Sequence, residues 1–472
     1  MTTRKSLAMI MLCATAACTQ VPHPDLSVPM PPAPAALAIT PASGPAQVAS
    51  PTARVPTDWW TRFGSSAINE AVQEALAHNN DLAVAEATLK QAREQAAAVS
   101  GAQGPQIDAS YQAQRQRVSQ TFANPLPDPS TYLYSLHTAQ LTVGYPIDAF
   151  GAGRARVRSA RSAAEAAENR LTAARTTVAA NLVLAIIQRA SLMAQTEATR
   201  ESIESDRQLL ALFERRRLLG DSGEVDVAAQ QTALATAEAQ LPALERQLAH
   251  QESLISLLMG RAPGAPLPGL PVFQDLKLPA DLPLSLPGDI VAHRPDVRAA
   301  EAQVRGAAAD VGAARAARLP QLQLNGSAGG SAAAFAQILS SSNLFFSLAG
   351  SITAPIFHSR QLLHQKRAAE AALTASEAQF RAAVLQAFLD VDDALAGLKT
   401  DAIALDAATR ASDAAQRTLA LTRRQTELGA QGSLALLNAE AAAAQSSLQL
   451  IQAQASRLSD TVALYQACGT AP

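Results

Sequence analysis

"HRPDVRAAEAQ", residues 293–303, reads as the opening of a helix, and nearly the same opening, "HNNDLAVAEAT", already stands at residues 78–88. Placing His78 on His293 requires an offset of 215 residues. That offset also brings Asp81 onto Asp296, Ala85-Glu86-Ala87 onto Ala300-Glu301-Ala302, and Pro105-Gln106 onto Pro320-Gln321. Farther along the offset falls to 209: Pro146-Ile147 meets Pro355-Ile356, Leu219-Gly220 meets Leu428-Gly429, and Gly223 meets Gly432. The six-residue slip falls between paired strands, where a loop changes length freely. The chain is one unit written twice, each copy ordered helix, strand, strand, very long helix, turn, helix.

Over residues 154–219 and again over 360–428 no proline interrupts a helical period. Each helix is therefore on the order of 100 Å long at about 1.5 Å per residue. Apolar residues recur at sevens: Val157, Ala164, Leu171, Val178, Ala185 and Leu192 in the first, Ala368, Ala375, Ala382, Leu389, Ala396 and Ile403 in the second. Charges such as Arg158, Arg161, Glu165 and Glu168 lie between them, which predicts coiled-coil seams in water and not membrane spans. The shorter helices, expected over residues 67–101 and 224–259, each run roughly 50 Å, and Pro242 is expected to kink the second. Composition agrees: of the 472 residues 48% are hydrophobic, with alanine dominant, and only 4% are aromatic, so long helices with thin contacts are favoured over a thick core.

The strands carry the other half of the reading. Leu344, Phe346, Leu348, Gly350, Ile352, Ala354 and Ile356 alternate with Phe345, Ser347, Ala349, Ser351 and Thr353; Leu322, Leu324, Gly326 and Ala328 alternate with Gln321, Gln323, Asn325 and Ser327. In the first copy Ile107, Ala109, Tyr111 and Ala113 oppose Asp108, Ser110, Gln112 and Gln114. One face of each strand is apolar and the other mostly polar. Strands are expected at about 105–117, 132–146, 320–330 and 343–356, with a bulge or a misread register in the second because Leu136 and Leu141 fall in opposite phases. Ten of the eighteen aromatic residues lie within 105–150 and 320–357, a concentration that suggests the girdles of a membrane β-barrel. Four strands cannot close a barrel, and an open edge in lipid leaves backbone groups unpaired at several kcal/mol each. Two copies would give eight strands around a filled interior; three would give twelve around a lumen, and three is favoured.

The N-terminus has Arg4 and Lys5 followed by an apolar run over residues 7–17, too short to span a bilayer and ending in small residues: an export signal. Cys18 follows "ATAA" at the expected cleavage point, with Thr15 three positions before it. Of the other cysteines, Cys13 lies in the signal and Cys468 near the end, so no disulfide framework is available. Residues 19–56 hold ten of the 27 prolines, which predicts an extended tether from residue 18 to 56. The expected divisions are the signal 1–17, the tether 18–56, a first repeat 57–259, a proline-rich connector 260–289, a second repeat 290–467 and a tail 468–472. Net charge is -2 with 38 basic and 40 acidic residues interleaved, so no basic stripe exists for nucleic acid.

With the duplicated unit and Cys18 in view, further stretches carry a family resemblance: "DWWTRFGSSAINEAVQEALAHNNDL" (58–82), "PIDAFGAGRARV" (146–157) and "LGAQGSLALLNAE" (428–440). The chain resembles the TolC-like outer-membrane efflux factors of the NodT-like lipoprotein branch, from residue 57 to about 467. That resemblance implies a mainly α fold with a membrane β-barrel portion: a homotrimer whose twelve strands form one barrel in the outer membrane of a Gram-negative cell and whose twelve helices form a coiled-coil α-barrel in the periplasm. It further implies a passive channel for small molecules, partnered by a periplasmic adaptor (membrane fusion protein) and an inner-membrane pump of the RND type. Cys18 would be the lipidated first residue of the mature protein, and no other cofactor is expected. The alternatives are a lipid-anchored periplasmic coiled-coil scaffold without a channel, and the exit duct of a type I protein secretion system.

Candidate sites are few. "GDSG" at 220–223 resembles a serine-protease nucleophile setting, but it lies where one helix ends and another begins, with Gly432 as the counterpart of Gly223, so a tight turn is expected and no enzyme. The seven histidines are scattered, and His358 and His364 are not spaced for one helix face, so no metal site is expected. In the family, acidic residues after the second tip commonly ring the constriction; the matching positions here are Ala435 and Asn438, which are neutral. Candidates for a gate are Asp226, a first-turn aspartate that also suits the helix dipole, with Leu436 and Leu437 as an apolar constriction and Asn438 beside them. Asp81 and Asp296 are expected to cap helices, and Trp59 and Trp60 to pack the N-terminal segment onto helices.

Overall fold

The computed structural model describes residues 22–29, 37–39, 46–50, 55–117, 133–220, 223–283 and 293–469; the signal segment and Cys18 lie outside them. The helices are α1 (Ser66–His78), α2 (Asn80–Gly101), α3 (Ala152–Leu218), α4 (Glu224–Leu258), α5 (Pro295–Ala316), α6 (Ser359–Glu427) and α7 (Ser433–Cys468). The strands are β1 (Leu37–Ile39), β2 (Gln47–Ser50), β3 (Gln106–Arg117), β4 (Leu133–Ile147), β5 (Asp281–Pro283), β6 (Gln321–Ala332) and β7 (Leu344–Thr353). The offset of 215 carries α2 onto α5 and β3 onto β6 with both ends coincident. Helix α4 continues through Pro242. The chain divides into two compact units. One takes the strands β3, β4, β6 and β7 with the helix segments that flank them; the other takes the remaining helices and the small sheet of β1, β2 and β5.

In the first unit the strand order is β3-β4-β6-β7, antiparallel throughout. The expected bulge is absent: β4 pairs without a break from Gly144 opposite Gln106 to Leu133 opposite Arg117, and equally on its β6 side. Leu136 simply lies on the polar face, opposite Gln114. A single apolar residue cannot shift a register that every other pair on both sides of the strand holds. Asp148 explains the "PIDAFGAGRARV" passage: its carboxylate accepts the Gly153 and Arg154 amides at 3.1 and 2.9 Å, so the strand ends and α3 begins within a few residues.

In the second unit the repeated opening marks a helix break. The helix expected over 67–101 stops at His78, Asn79 is extended, and the Asn79 Oδ1 accepts the amides of Asp81 and Leu82 at 2.9 and 3.1 Å to start α2. Asn79, not Asp81, is the cap. Its Nδ2 donates to the Leu258 carbonyl at 2.9 Å, at the end of α4. The second copy builds the same joint with Arg294, whose Nη1 donates to the Ala467 carbonyl at 3.0 Å, at the end of α7. Asp296 likewise is an ion-pair partner of Arg294, 2.6 Å away, and Asp390 on α6 is a second at 2.8 Å. Two residues after these carbonyls come Gly260 and Gly469, both at positive φ. A Cβ on Gly260 would overlap the His78 carbonyl, so only glycine lets the helix end approach the helix start.

The proline-rich N-terminal stretch is more than a tether. β2 pairs with β1 and, in parallel, with β5 of the connector. Gln47 is fully buried: its Nε2 donates to the Pro279 carbonyl and Thr461 Oγ1, and its Oε1 accepts from Arg457 Nε at 3.0 Å. Three- and four-residue strands leave no periodic trace in a sequence. As expected, the tryptophans pack this region onto helices: Trp59 stacks on Tyr465 of α7 with centroids 5.4 Å apart, and Trp60 Nε1 donates to Asn69 of α1.

The two joints differ in charge, and so should their removal. Arg294→Ala leaves Asp390 and Asp296 facing each other beside an unsatisfied helix end and should cost roughly 3 kcal/mol, whereas Asn79→Ala should cost about 1 kcal/mol. Thermal melts of the two variants should rank in that order, and Asp390→Ala should recover part of the Arg294→Ala loss; equal melting temperatures would refute the charged-joint account.

Candidate functional site

The four-stranded sheet has two chemically distinct faces. On one, Ile107, Ala109 and Tyr111 lie beside Val143, Leu141 and Ala139 of β4, which lie beside Gly326, Ala328 and Gly330 of β6, then Leu348, Phe346 and Leu344 of β7. This face is exposed: Phe346 retains 86% and Leu348 74% of its accessible area. On the other face the neighbours are mostly polar, Leu136 and Phe345 excepted, with Thr138 against Ser331 at 3.0 Å and Ser327 against Ser347 at 2.8 Å. An exposed apolar face suits lipid and a hydroxyl-lined face suits water. Among the described residues β3 and β7 pair on one side only, so the outer edge of each still carries unpaired backbone groups.

The long helices carry seams of two kinds. In α3 the expected positions Leu171, Val178, Ala185 and Leu192 are buried. In α6 they are not: Ala368, Ala375, Ala382, Leu389, Ala396 and Ile403 are all exposed. The buried stripe of α6 runs instead through Leu373, Phe380, Ala387 and Ala394 and through Val384, Val391, Leu398 and Leu405. Both sets repeat at sevens. The helix therefore has an inner seam packed within the chain and a second apolar seam left open on its surface.

At the helix hairpins the turns are made by Gly220 and Gly429, at φ +78° and +72°. Gly223 and Gly432, the expected turn residues, instead cap α4 and α7 in extended conformation. Leu218, Leu219, Val225, Leu428 and Leu434 are exposed at these tips. Asp226 is half-buried; its Oδ2 accepts the Gly223 amide at 3.0 Å and its Oδ1 accepts the Ser433 hydroxyl, so one carboxylate ties the first tip to the second. Leu436 is buried inside the chain, Leu437 is half-buried and Asn438 is exposed. The Ser433 contact gives no signal in sequence, because it joins residues more than two hundred positions apart.

A sheet with a lipid-type and a water-type face, followed by helices with an open seam, defines a membrane-channel subunit. Comparisons with known proteins agree. The chain matches the family model "Outer membrane efflux protein" over residues 71–261 and 286–470. It is 30% identical over 372 residues to the pyoverdine export outer membrane protein OpmQ of Pseudomonas putida, covering 77% of this chain and 78% of that one. It is 27% identical over 418 residues to a toluene efflux pump outer membrane protein, TtgC, of the same species, covering 88% and 85%. Among solved structures it is similar to the outer-membrane channel OprN, at 26% identity and a TM-score of 0.84 over 94% of this chain and 99% of that one. The fold also matches the Campylobacter jejuni CmeC outer membrane channel, at 21% identity and a TM-score of 0.86 over 96% and 95%. The chain belongs to the outer membrane efflux protein family. It is an outer-membrane efflux channel component of the TolC-like type.

One further group in the helical unit is unusual. Asp401 of α6 and Asp460 of α7 face each other near Arg457; burial, then the Asp460 charge, pushes the Asp401 carboxyl up to about 6 from 3.8, and burial also raises Asp460. A carboxyl that is harder to ionise in the folded state binds a proton the unfolded chain has lost. It adds stability that is complete below about 4 and is lost as pH rises through about 6. The melting temperature should therefore fall more between pH 4.5 and 7 (roughly the span of this titration) in the parent than in Asp401→Asn; parallel pH profiles would show that the pair does not titrate in this range.

Proposed function

We propose that three copies of this chain form one passive duct through the outer membrane, fed by an inner-membrane pump of the RND type through a periplasmic adaptor. The observation that carries the reading is the two-faced sheet whose edge strands β3 and β7, among the described residues, each pair on one side only. Backbone groups left open in lipid cost several kcal/mol each. Three sheets joined edge to edge remove every edge and give twelve strands, wide enough for a water-filled lumen behind the polar face. The open seam of α6 supports association with further copies, because Leu389 and Ile403 present an apolar surface that the described residues do not cover. The exposed leucines at the hairpin tips fit an apolar docking surface for the adaptor.

The duct reading needs no catalytic group and no metal; flow follows the gradient the pump maintains. Relatives at comparable identity are named for pyoverdine export and for toluene and antibiotic efflux, so we assign the cargo to the class of small molecules and its selection to the pump. Those names favour efflux over type I protein secretion. At the periplasmic end the gate is assigned to Asp226, Leu437 and Asn438 near the tips, with Leu436 as the packing beneath them. Cys18 is assigned as the lipid-bearing residue and anchors the chain to the outer membrane.

Purified in detergent, the protein should have three times the mass of one chain and should conduct ions in a planar bilayer. Leu389→Glu and Ile403→Glu should shift it toward monomer without loss of helical signal, and Asp226→Asn should lower the cation preference of the conductance. A protein that is monomeric and soluble without detergent would overturn the duct in favour of the scaffold. Metabolic palmitate labelling should be present in the parent and absent in Cys18→Ala, which should still assemble; an unlabelled parent would remove the anchor from the account.

A further inference from the structure

The connection between β6 and β7, residues 333–343, is "AAFAQILSSSN", eleven residues without a charge. It lies at the end of the sheet remote from the helices, since α5 leads into the start of β6 and β7 leads into α6. It does not extend freely from that end. The Phe335 ring meets Tyr111 of β3 edge-on, with centroids 5.6 Å apart, and Ile338 is buried. The Ile338 backbone lies so close to Gly330 that a Cβ there would overlap its carbonyl. Tyr111, Gly330 and Ala332 all belong to the apolar face. The connection is thus folded back over the lipid-type side of the sheet, away from the hydroxyl-lined side.

Several of its polar groups are bonded within the segment. The Gln337 carbonyl accepts from the Ser340 amide and hydroxyl and from Asn343 Nδ2, and the Asn343 amide donates to the Ser340 carbonyl at 2.9 Å. Internal satisfaction of this kind is what irregular backbone requires beside hydrocarbon. The large side chains that the segment presents outward are apolar, Phe335 at 66% and Leu339 at 81% exposure, with Gln337 and the serines Ser340, Ser341 and Ser342 exposed beside them.

We propose that residues 333–343 form a lipid-seated lip, with Phe335 and Leu339 inserted among acyl chains just below the head groups on the side of the membrane away from the helices. The proposal rests on the reading that the apolar sheet face meets lipid, and continuity with that face identifies lipid as the occupant. Gly330 is the seat of the lip, and the polar side of the sheet keeps its mouth clear of this connection.

The test uses the full-length protein in phosphatidylcholine vesicles with and without chains brominated near the head group. Trp59 and Trp60, both buried in the helical unit, give a constant background. Leu339→Trp, and Phe335→Trp as a second variant, should lose most of their added fluorescence to the brominated lipid and little to aqueous iodide. Adding Gly330→Val should reverse that preference by lifting the lip. Leu348→Trp, at the middle of the apolar face, is the control. If Leu348→Trp is quenched by lipid and Leu339→Trp only by iodide, the lip is wrong and the barrel stands. If neither quencher reaches Leu339→Trp, a neighbouring copy covers it and the proposal fails. If Leu348→Trp also escapes the lipid, the face assignment itself falls.

Discussion

A backbone amide in hydrocarbon has no water to turn to, and the rest of this structure depends on that fact. Four antiparallel strands satisfy their own interior hydrogen bonds in an unbroken register, yet the outermost strands face outward with a row of donors and acceptors. Side-chain chemistry cannot cure this, because the unsatisfied groups belong to the main chain. In the proposed duct the remedy is strand from further copies, and the apolar positions that repeat at sevens on the surface of α6 fit the same need.

Duplication supplies strands and helices together. Each copy brings a strand pair and a helical hairpin, and each anchors the end of its last helix at the start of the helix that leads into its strands. The first copy makes this joint with a neutral amide, Asn79, and the second with a charge, Arg294, that serves two carboxylates as well as a helix end. The replacement is not conservative. A cation at a helix C-terminus is favoured by the dipole, and its buried pairing ties α6 into the same joint, which Asn79 has no reach to do for α3. The repeats therefore share a geometry while carrying different mechanical loads.

How much of this was legible follows from the range of each interaction. The repeat, the alternating strands and the long helices are written in local periodicities, and α2 with β3 recurs as α5 with β6 at a constant offset. The choice of seam was not legible. In α6 two heptad sets run side by side, and the sequence alone does not say which one its own chain covers and which it leaves open. The break at Asn79 was written in "HNND" but masked by the helical residues on both sides of it. The role of Gln47 was invisible, since a lone glutamine in a proline-rich stretch carries no sign of Arg457 and Thr461 more than four hundred residues away.

The tips show what duplication permits once the copies diverge. At matching positions the first copy has Glu224 and Asp226 where the second has Ser433 and Ala435. Identical copies would set carboxylate against carboxylate here. The divergent ones set an acceptor against a donor, and the Ser433 hydroxyl meets Asp226. Arg423 of α6 reaches Ser205 of α3 at 3.1 Å to make a second tie between the copies. Bonds to charged groups are worth about 1.5–3 kcal/mol each. Ties of that size hold the hairpins together at rest, yet a docking partner with a few compensating contacts can replace them. Ser433, standing where a second carboxylate would be if the copies were identical, removes a repulsion that would have opposed the contact now made.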